Sequence, residues 1–170
     1  MYISTADISN NLKNKTKYVK NKIKIEKIIK KNFNHFVILR IPQLIGKSNN
    51  KNTLINFFYN RIKEKKKIIV FKNVKRNILD IDDVIKMIQV LIMNKKVNKK
   101  TITLSNKNFI KPIEIIKILE KRLKKNANYI LIKTKKQNWN LNFNQNIVYF
   151  RNAKINFGKD YLVKAVKKYY

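Results

Sequence analysis

Phe36-Val37-Ile38-Leu39-Arg40-Ile41-Pro42 is the stretch on which the fold turns. Its apolar heart, Val37 to Leu39, lacks the in-out alternation of a half-wet strand and is too short for a helix. It reads as a strand buried on both faces, the habit of parallel sheets. Pro42 has no N–H to give a ladder and ends the run. Gly46 to Asn52 reads as loop. On the N-terminal side, Thr16 is placed to cap a helix that runs to about Lys31. Tyr18, Lys22, Ile25 and Ile29 fall at i, i+4, i+7 and i+11, so they share one face, expected to be the inner one. Ahead of it, Met1 to Ser4 reads as the end of a buried strand and residues 6–15 as polar turn.

On the C-terminal side the alternation continues. A helix from about Thr53 is expected to turn Leu54, Phe57, Phe58 and Ile62 inward. Ile68 to Phe71 is a strand and Asn77 to Ile81 a shorter extended piece. Asp82 or Asp83 should cap a third helix with Val84, Ile85, Ile88, Leu91 and Ile92 on its inner face. Thr101 to Leu104 is a strand. Pro112 opens a fourth helix, where its missing N–H costs nothing, and Ile113, Ile116, Leu119 and Leu123 are expected inside. Tyr129 to Ile132 is a strand, residues 134–157 are aromatic and Asn-rich without period, and a last helix starts near Lys159. Strands alternating with helices predict an α/β fold with a parallel sheet.

Composition narrows the function classes. With 44% apolar and 11% aromatic residues over 170 positions, the chain is long and apolar enough for a core. There is no Cys, and His35 is the single His, so cysteine-zinc and histidine-cluster sites are excluded. No apolar run reaches the roughly 18–20 residues of a membrane span. The N-terminus lacks the basic-then-apolar order of a secretory signal. A cytoplasmic protein is the expectation. The net charge of +32 invites a nucleic-acid reading, and a basic nucleic-acid-binding protein is the second function considered, with Tyr149, Phe150 and Arg151 as interleaved aromatics and cation. Against it, five of the 41 basic residues are Arg and the rest Lys, whereas phosphate and base readers favour the arginine fork. The excess of Lys, Asn and Ile over Gly, Ala, Pro and Arg follows A/T-rich codons, and the lysines are spread along the whole chain.

Chemistry-bearing residues are few. Tyr18 and Lys22 form a YxxxK pair, but Tyr59 and Tyr129 also have Lys four residues on, so spacing alone says little in a lysine-rich chain. Order and context say more. Ile3-Ser4-Thr5-Ala6-Asp7 ends a strand in two hydroxyls. Tyr18-Val19-Lys20-Asn21-Lys22 follows on a helix, with Glu26 one turn further. Leu39-Arg40-Ile41-Pro42-Gln43-Leu44-Ile45-Gly46 closes the next strand, and Arg76-Asn77-Ile78-Leu79-Asp80-Ile81-Asp82-Asp83-Val84 opens the third helix.

These four pieces, in this order over roughly residues 1–125, resemble the second half of the NAD-dependent epimerase/dehydratase family, the extended short-chain dehydrogenases/reductases. The resemblance implies the C-terminal part of a Rossmann-like parallel sheet with flanking helices plus a small substrate-side subdomain. It would be one truncated domain over 1–170, with about 1–50 the remaining Rossmann part and about 51–170 the mixed substrate-side part. It also implies a nucleotide-sugar substrate, in a subgroup tied to surface-polysaccharide synthesis, and NAD or NADP as cofactor. Tyr18 would be the acid/base, Lys22 its cationic partner and Thr5 a hydrogen-bonding hydroxyl on the same substrate oxygen. Tyr18, Lys22 and Pro42 would lie against the nicotinamide side, and Arg76 would pair with the diphosphate. The physical sense is plain: tyrosine is a poor base near neutrality, and a cation one helical turn away favours the phenolate. The plainer readings are a packing tyrosine at 18, a strand-end hydroxyl at Thr5 and a surface cation at Arg76.

One part of the family pattern has no counterpart. A dinucleotide grip needs a Gly-rich turn at a helix N-terminus, and the two glycines, Gly46 and Gly158, lie in no such turn. The gap from Thr5 to Tyr18 is also short. The expectations are a chain that binds NAD(P) weakly, turns over nothing alone and associates with a missing N-terminal half or with a copy of itself.

Overall fold

Every strand ladder among the described residues is parallel. The computed structural model describes residues 1–10, 15–94, 97–134, 141 and 143–170. Along the chain run β1 (Tyr2–Thr5), α1 (Lys17–Asn32), β2 (Val37–Ile41), β3 (Gln43–Ile45), α2 (Leu54–Lys63), β4 (Ile68–Phe71) and β5 (Ile78–Asp80). Then come α3 (Ile81–Met93), β6 (Lys100–Thr103), α4 (Pro112–Leu123), β7 (Tyr129–Ile132), α5 (Ile147–Asn152) and α6 (Tyr161–Tyr169). The architecture is mixed α/β, with helices flanking parallel strands. The chain divides into two compact units: residues 1–42, 82–106 and 138–156 form the first, and 43–81, 107–137 and 157–170 the second.

In the first unit the sheet order is β1-β2-β6. β2 is central, and Ile38 and Leu39 are fully buried, as its unbroken apolar run requires. Thr16 caps α1, its hydroxyl accepting from the Val19 N–H at 3.3 Å. The inner face of α1 is rotated from the expected one. Val19 and Glu26 are its buried residues, while Tyr18 and Ile25 are exposed. A polar side chain took the inner position because β1 and β2 present polar partners to it, as the site below shows. α3 differs in the same sense: Val84, Met87 and Leu91 are buried, and Ile85 and Ile92 face outward. Neither Asp82 nor Asp83 is a cap, because the helix begins at Ile81. Both sit in its first turn, where carboxylates favour the positive end of the helix dipole.

The second unit holds the parallel pairs β3–β5 and β4–β7. β3 fills the three residues between Pro42 and the expected loop from Gly46; the proline ends one strand and Gln43 starts another. Ile55, Phe58 and Ile62 of α2, Ile115, Ile116 and Leu119 of α4, and Leu162 and Val166 of α6 meet Ile45, Ile68, Val70 and Ile78 in one core. The expected inner residues Leu54, Phe57, Ile113 and Leu123 pack at its margin. Pro112 occupies the first turn of α4 as expected. Gly46 is a packing glycine: a Cβ there would lie 2.5 Å from Ile81 Cγ2.

Candidate active site

β1 ends in two hydroxyls that do different work. Ser4 is register partner of Arg40 on β2, so the two side chains share a sheet face. Over that face α1 delivers Glu26, 4% exposed. Arg40 Nε donates to Glu26 Oε1 at 2.9 Å and Arg40 Nη2 to Oε2 at 2.6 Å, while Ser4 Oγ donates to Oε1 at 2.6 Å. The carboxylate is thus gripped bidentately and from a third side, the arrangement that makes burial of a charge tolerable. Burial alone would raise the Glu26 carboxyl, but the Arg40 and Ser4 hydrogen bonds and the Arg40 charge outweigh it and hold it below its ordinary value.

This three-membered tie joins the strand that carries Thr5, the helix that carries Tyr18 and Lys22, and the strand that ends at Pro42. Thr5 is 8% exposed, and its Oγ1 accepts from the Asp7 N–H at 3.2 Å. Lys22 Nζ donates to the Ile3 carbonyl at 2.9 Å and lies 4.8 Å from the Tyr2 ring centroid and 5.7 Å from that of Tyr18. Lys22 is therefore anchored back onto β1, with the Tyr18 ring near its ammonium. Tyr18 itself is 57% exposed, open to a ligand. Thr5, Tyr18, Lys22 and Pro42 all belong to the first unit, and Arg76 belongs to the second. Arg76 there forms an antiparallel bridge with Ile110, its N–H donating at 2.7 Å and its carbonyl accepting at 2.9 Å.

Two polar groupings escaped the sequence reading of roles. Glu26 was visible as a lone acid one turn beyond Lys22 in a lysine-rich helix, but nothing local says that it is buried. Asp80, at the end of β5, is 7% exposed and accepts from Tyr169 Oη at 2.6 Å and from Lys168 Nζ at 3.1 Å, while its own N–H donates to Tyr161 Oη at 2.8 Å. Its signal is an acid inside an apolar strand. Phe150, named above as an aromatic for stacking bases, is 2% exposed and stacks on Phe143 at 5.5 Å; its ring is committed to the core.

The fit to a nicotinamide cofactor is divided. Around Tyr18 and Lys22 a hydroxyl and an ammonium stand together, suitable donors for a ribose. The phosphate side has no such match among the described residues. Neither glycine has a positive φ, and the space that Gly46 leaves is filled by Ile81. No group of three metal-ligating side chains occurs among the described residues, and no described helix is long and apolar enough to cross a membrane.

The model of the NAD dependent epimerase/dehydratase family matches residues 3–104, more than half of the chain. No curated protein matches by sequence. Among solved structures, UDP-glucuronic acid 4-epimerase from Bacillus cereus in complex with NAD is 23% identical, with a TM-score of 0.66 over 79% of this chain and 49% of that one. The Bordetella bronchiseptica enzyme WbmG, in complex with NAD and UDP, gives 0.77 at 14% identity over 96% and 56%. dTDP-glucose 4,6-dehydratase from Bacillus anthracis, in complex with NAD, gives 0.73 at 15% over 98% and 60%. The chain spans about half to three-fifths of the length of these proteins.

Proposed function

The chain belongs to the NAD-dependent epimerase/dehydratase family, and from that premise we propose that it carries the acid–base residues and the sugar-side portion of a nucleotide-sugar epimerase or dehydratase. The observation that carries the reading is the Ser4–Glu26–Arg40 tie, which fixes the three motif-bearing elements side by side. In this reading Tyr18 moves a proton at a sugar hydroxyl or ketone oxygen. Lys22 holds positive charge near the phenol from its anchor on the Ile3 carbonyl, and Thr5 donates its hydroxyl proton to the same oxygen, its lone pair being engaged by Asp7. Tyr18 and Lys22, with Pro42 alongside, would hold the nicotinamide ribose of NAD or NADP. When bound, that cofactor supplies hydride acceptance and return. Arg76 would pair with the diphosphate of the substrate through its guanidinium fork.

The one-domain organisation, with a Rossmann part to about residue 50 and a substrate part beyond, belongs to the same proposal, as do surface-polysaccharide synthesis and a cytoplasmic location. So does dependence on further polypeptide, either a dinucleotide-binding half or a second copy. β1 is an edge strand, and Ile3 on it and Ile25 and Ile28 on α1 are exposed, a surface that invites pairing. The test has two arms. The isolated chain, titrated with NADH and NADPH, is expected to show no tight binding and no turnover. Co-expressed with a Gly-rich βαβ half from a family member, it is expected to convert a UDP- or dTDP-sugar, and Tyr18→Phe to abolish that conversion. Tight NADH binding by the isolated chain refutes the dependence, and full turnover by Tyr18→Phe refutes the assigned chemistry.

A further inference from the structure

Within the second unit, the loop that follows β3, the outer side of α2 and the end of α6 enclose a cleft of about 420 Å³, a volume usual for small-molecule sites. Its aromatic wall is built and held. Tyr170 Oη donates to Asn56 Oδ1, and the amide of Asn56 in turn donates to the carbonyls of Ser48 and Asn50 at 3.1 and 2.9 Å. The Tyr59 and Tyr170 rings meet at 4.7 Å, and neighbouring Tyr169 is tied to Asp80 at 2.6 Å. The other walls supply unused polar groups. Lys47 and Lys51 line the cleft and form no ion pair with the described residues, and the side-chain amides of Asn49 and Asn60 make no hydrogen bond with them. No carboxylate side chain lines the cleft, and Arg76 is not part of it.

Two ammonium groups, Lys51 also feeling the Glu64 carboxylate that lies outside the cleft lining, suit one compact dianion. Amides and a tyrosine face suit a hydroxylated ring, the amides reaching its hydroxyls and the aromatic face its C–H groups. We propose that this cleft is a binding site for a sugar phosphate, with the phosphate between Lys47 and Lys51 and the sugar against Tyr59 and Tyr170. Burial pushes the Tyr170 phenol up to about 12, so its hydroxyl remains a protonated donor through the physiological range. The site is independent of the nucleotide-sugar reading, since none of its residues was assigned to that chemistry.

The test is calorimetric titration of the full chain with glucose 1-phosphate, with inorganic phosphate and glucose as separate probes. A chain with 41 basic residues binds phosphate loosely anywhere, so Lys20→Gln/Lys24→Gln on the exposed side of α1 is the charge-matched control. Lys47→Gln/Lys51→Gln is expected to weaken glucose 1-phosphate about tenfold, the loss of two exposed charge-assisted contacts, and the control to leave it unchanged. Asn60→Asp, which sets a like charge in the cleft without altering shape, is expected to weaken it similarly. The proposal is overturned if the two lysine pairs act alike, if Asn60→Asp has no effect, or if inorganic phosphate binds as tightly as glucose 1-phosphate.

Discussion

Glu26→Ala removes a side chain of α1 that touches both β1 and β2 through polar contacts. The parent carboxylate is 4% exposed, accepts three hydrogen bonds of 2.6–2.9 Å and neutralises Arg40. Truncation leaves Ser4 Oγ without its acceptor and the guanidinium facing an apolar hole. Breaking a buried ion pair from one side costs about 3–5 kcal/mol. The Arg40 side chain is 20% exposed, so water can rehydrate part of it and the lower end applies, about 3 kcal/mol. Against a domain stability of about 5–15 kcal/mol that is a loss urea unfolding resolves easily. Glu26→Gln keeps the shape and an acceptor but loses the charge, and is expected to cost about 2 kcal/mol, the premium of charged over neutral hydrogen bonds.

The pH dependence separates this cause from simple packing loss. Because the folded carboxyl titrates below its ordinary value of 4.5, the unfolded chain binds the proton more readily. The contribution is fully present above pH 4.5 and is lost as pH falls through the depressed folded value. Parent and Glu26→Gln should therefore converge in acid and differ most near neutrality. Replacing both partners, Glu26→Leu with Arg40→Met, should recover most of the loss, since two well-packed apolar side chains substitute for a buried pair at little cost. If Glu26→Ala unfolds within about 0.5 kcal/mol of the parent, the scale of an ordinary surface change, or if the gap to Glu26→Gln is the same at pH 3 and pH 7, the tie does not hold these elements together.

Two further outcomes are expected from the second unit. Tyr169→Phe deletes the 2.6 Å hydrogen bond to Asp80 and should cost about 1–2 kcal/mol in urea unfolding. Burial first, then the Asp80 bond, push the Tyr169 phenol from 10.0 up to about 12; the folded state keeps the proton longer, so this contribution is intact below pH 10 and lost as pH rises through 12. Tyr169→Phe should lose less stability over that alkaline range than the parent, the remainder belonging to Tyr170. Gly46→Ala places a methyl 2.5 Å from Ile81 Cγ2 and 3.0 Å from Ile81 Cβ. A β-branched side chain cannot swing away freely, so the thermal midpoint should fall by the equivalent of about 1–3 kcal/mol. Ile81→Ala in the same chain should recover part of it, and no change in midpoint would refute the packing role.

Much of the fold was legible from patterns that are local. β2, β4 and β7 announced themselves as short apolar runs, Pro112 marked the first turn of α4, and Thr16 capped α1 as its position promised. The inner face of α1 was not legible. The stripe Tyr18–Lys22–Ile25–Ile29 reads as the inner face of α1 because apolar residues normally supply it. The helix instead turns Val19 and Glu26 inward, and no single-helix periodicity can show that a glutamate is an inside residue. That fact is written in β1 and β2, where Ser4 and Arg40 become neighbours only once the strands are in register. β3 was hidden for a related reason. Proline ends a ladder but does not forbid a new one from starting at the next residue.

The candidate site follows the same division between local and non-local. Tyr18 and Lys22 are chemically suggestive yet cheap in a chain with two other tyrosines spaced four residues before a lysine. Glu26 and Arg40 carry no catalytic chemistry, but a charge buried to 4% persists only where its partners are in place. Their pairing therefore demands that α1 lie across β1 and β2, and a helix so placed carries Lys22 to the Ile3 carbonyl. The costly structural pair, invisible along the chain, is what gives the inexpensive motif its meaning. A variant that keeps Tyr18 and Lys22 but loses Glu26 would retain the motif and lose the site.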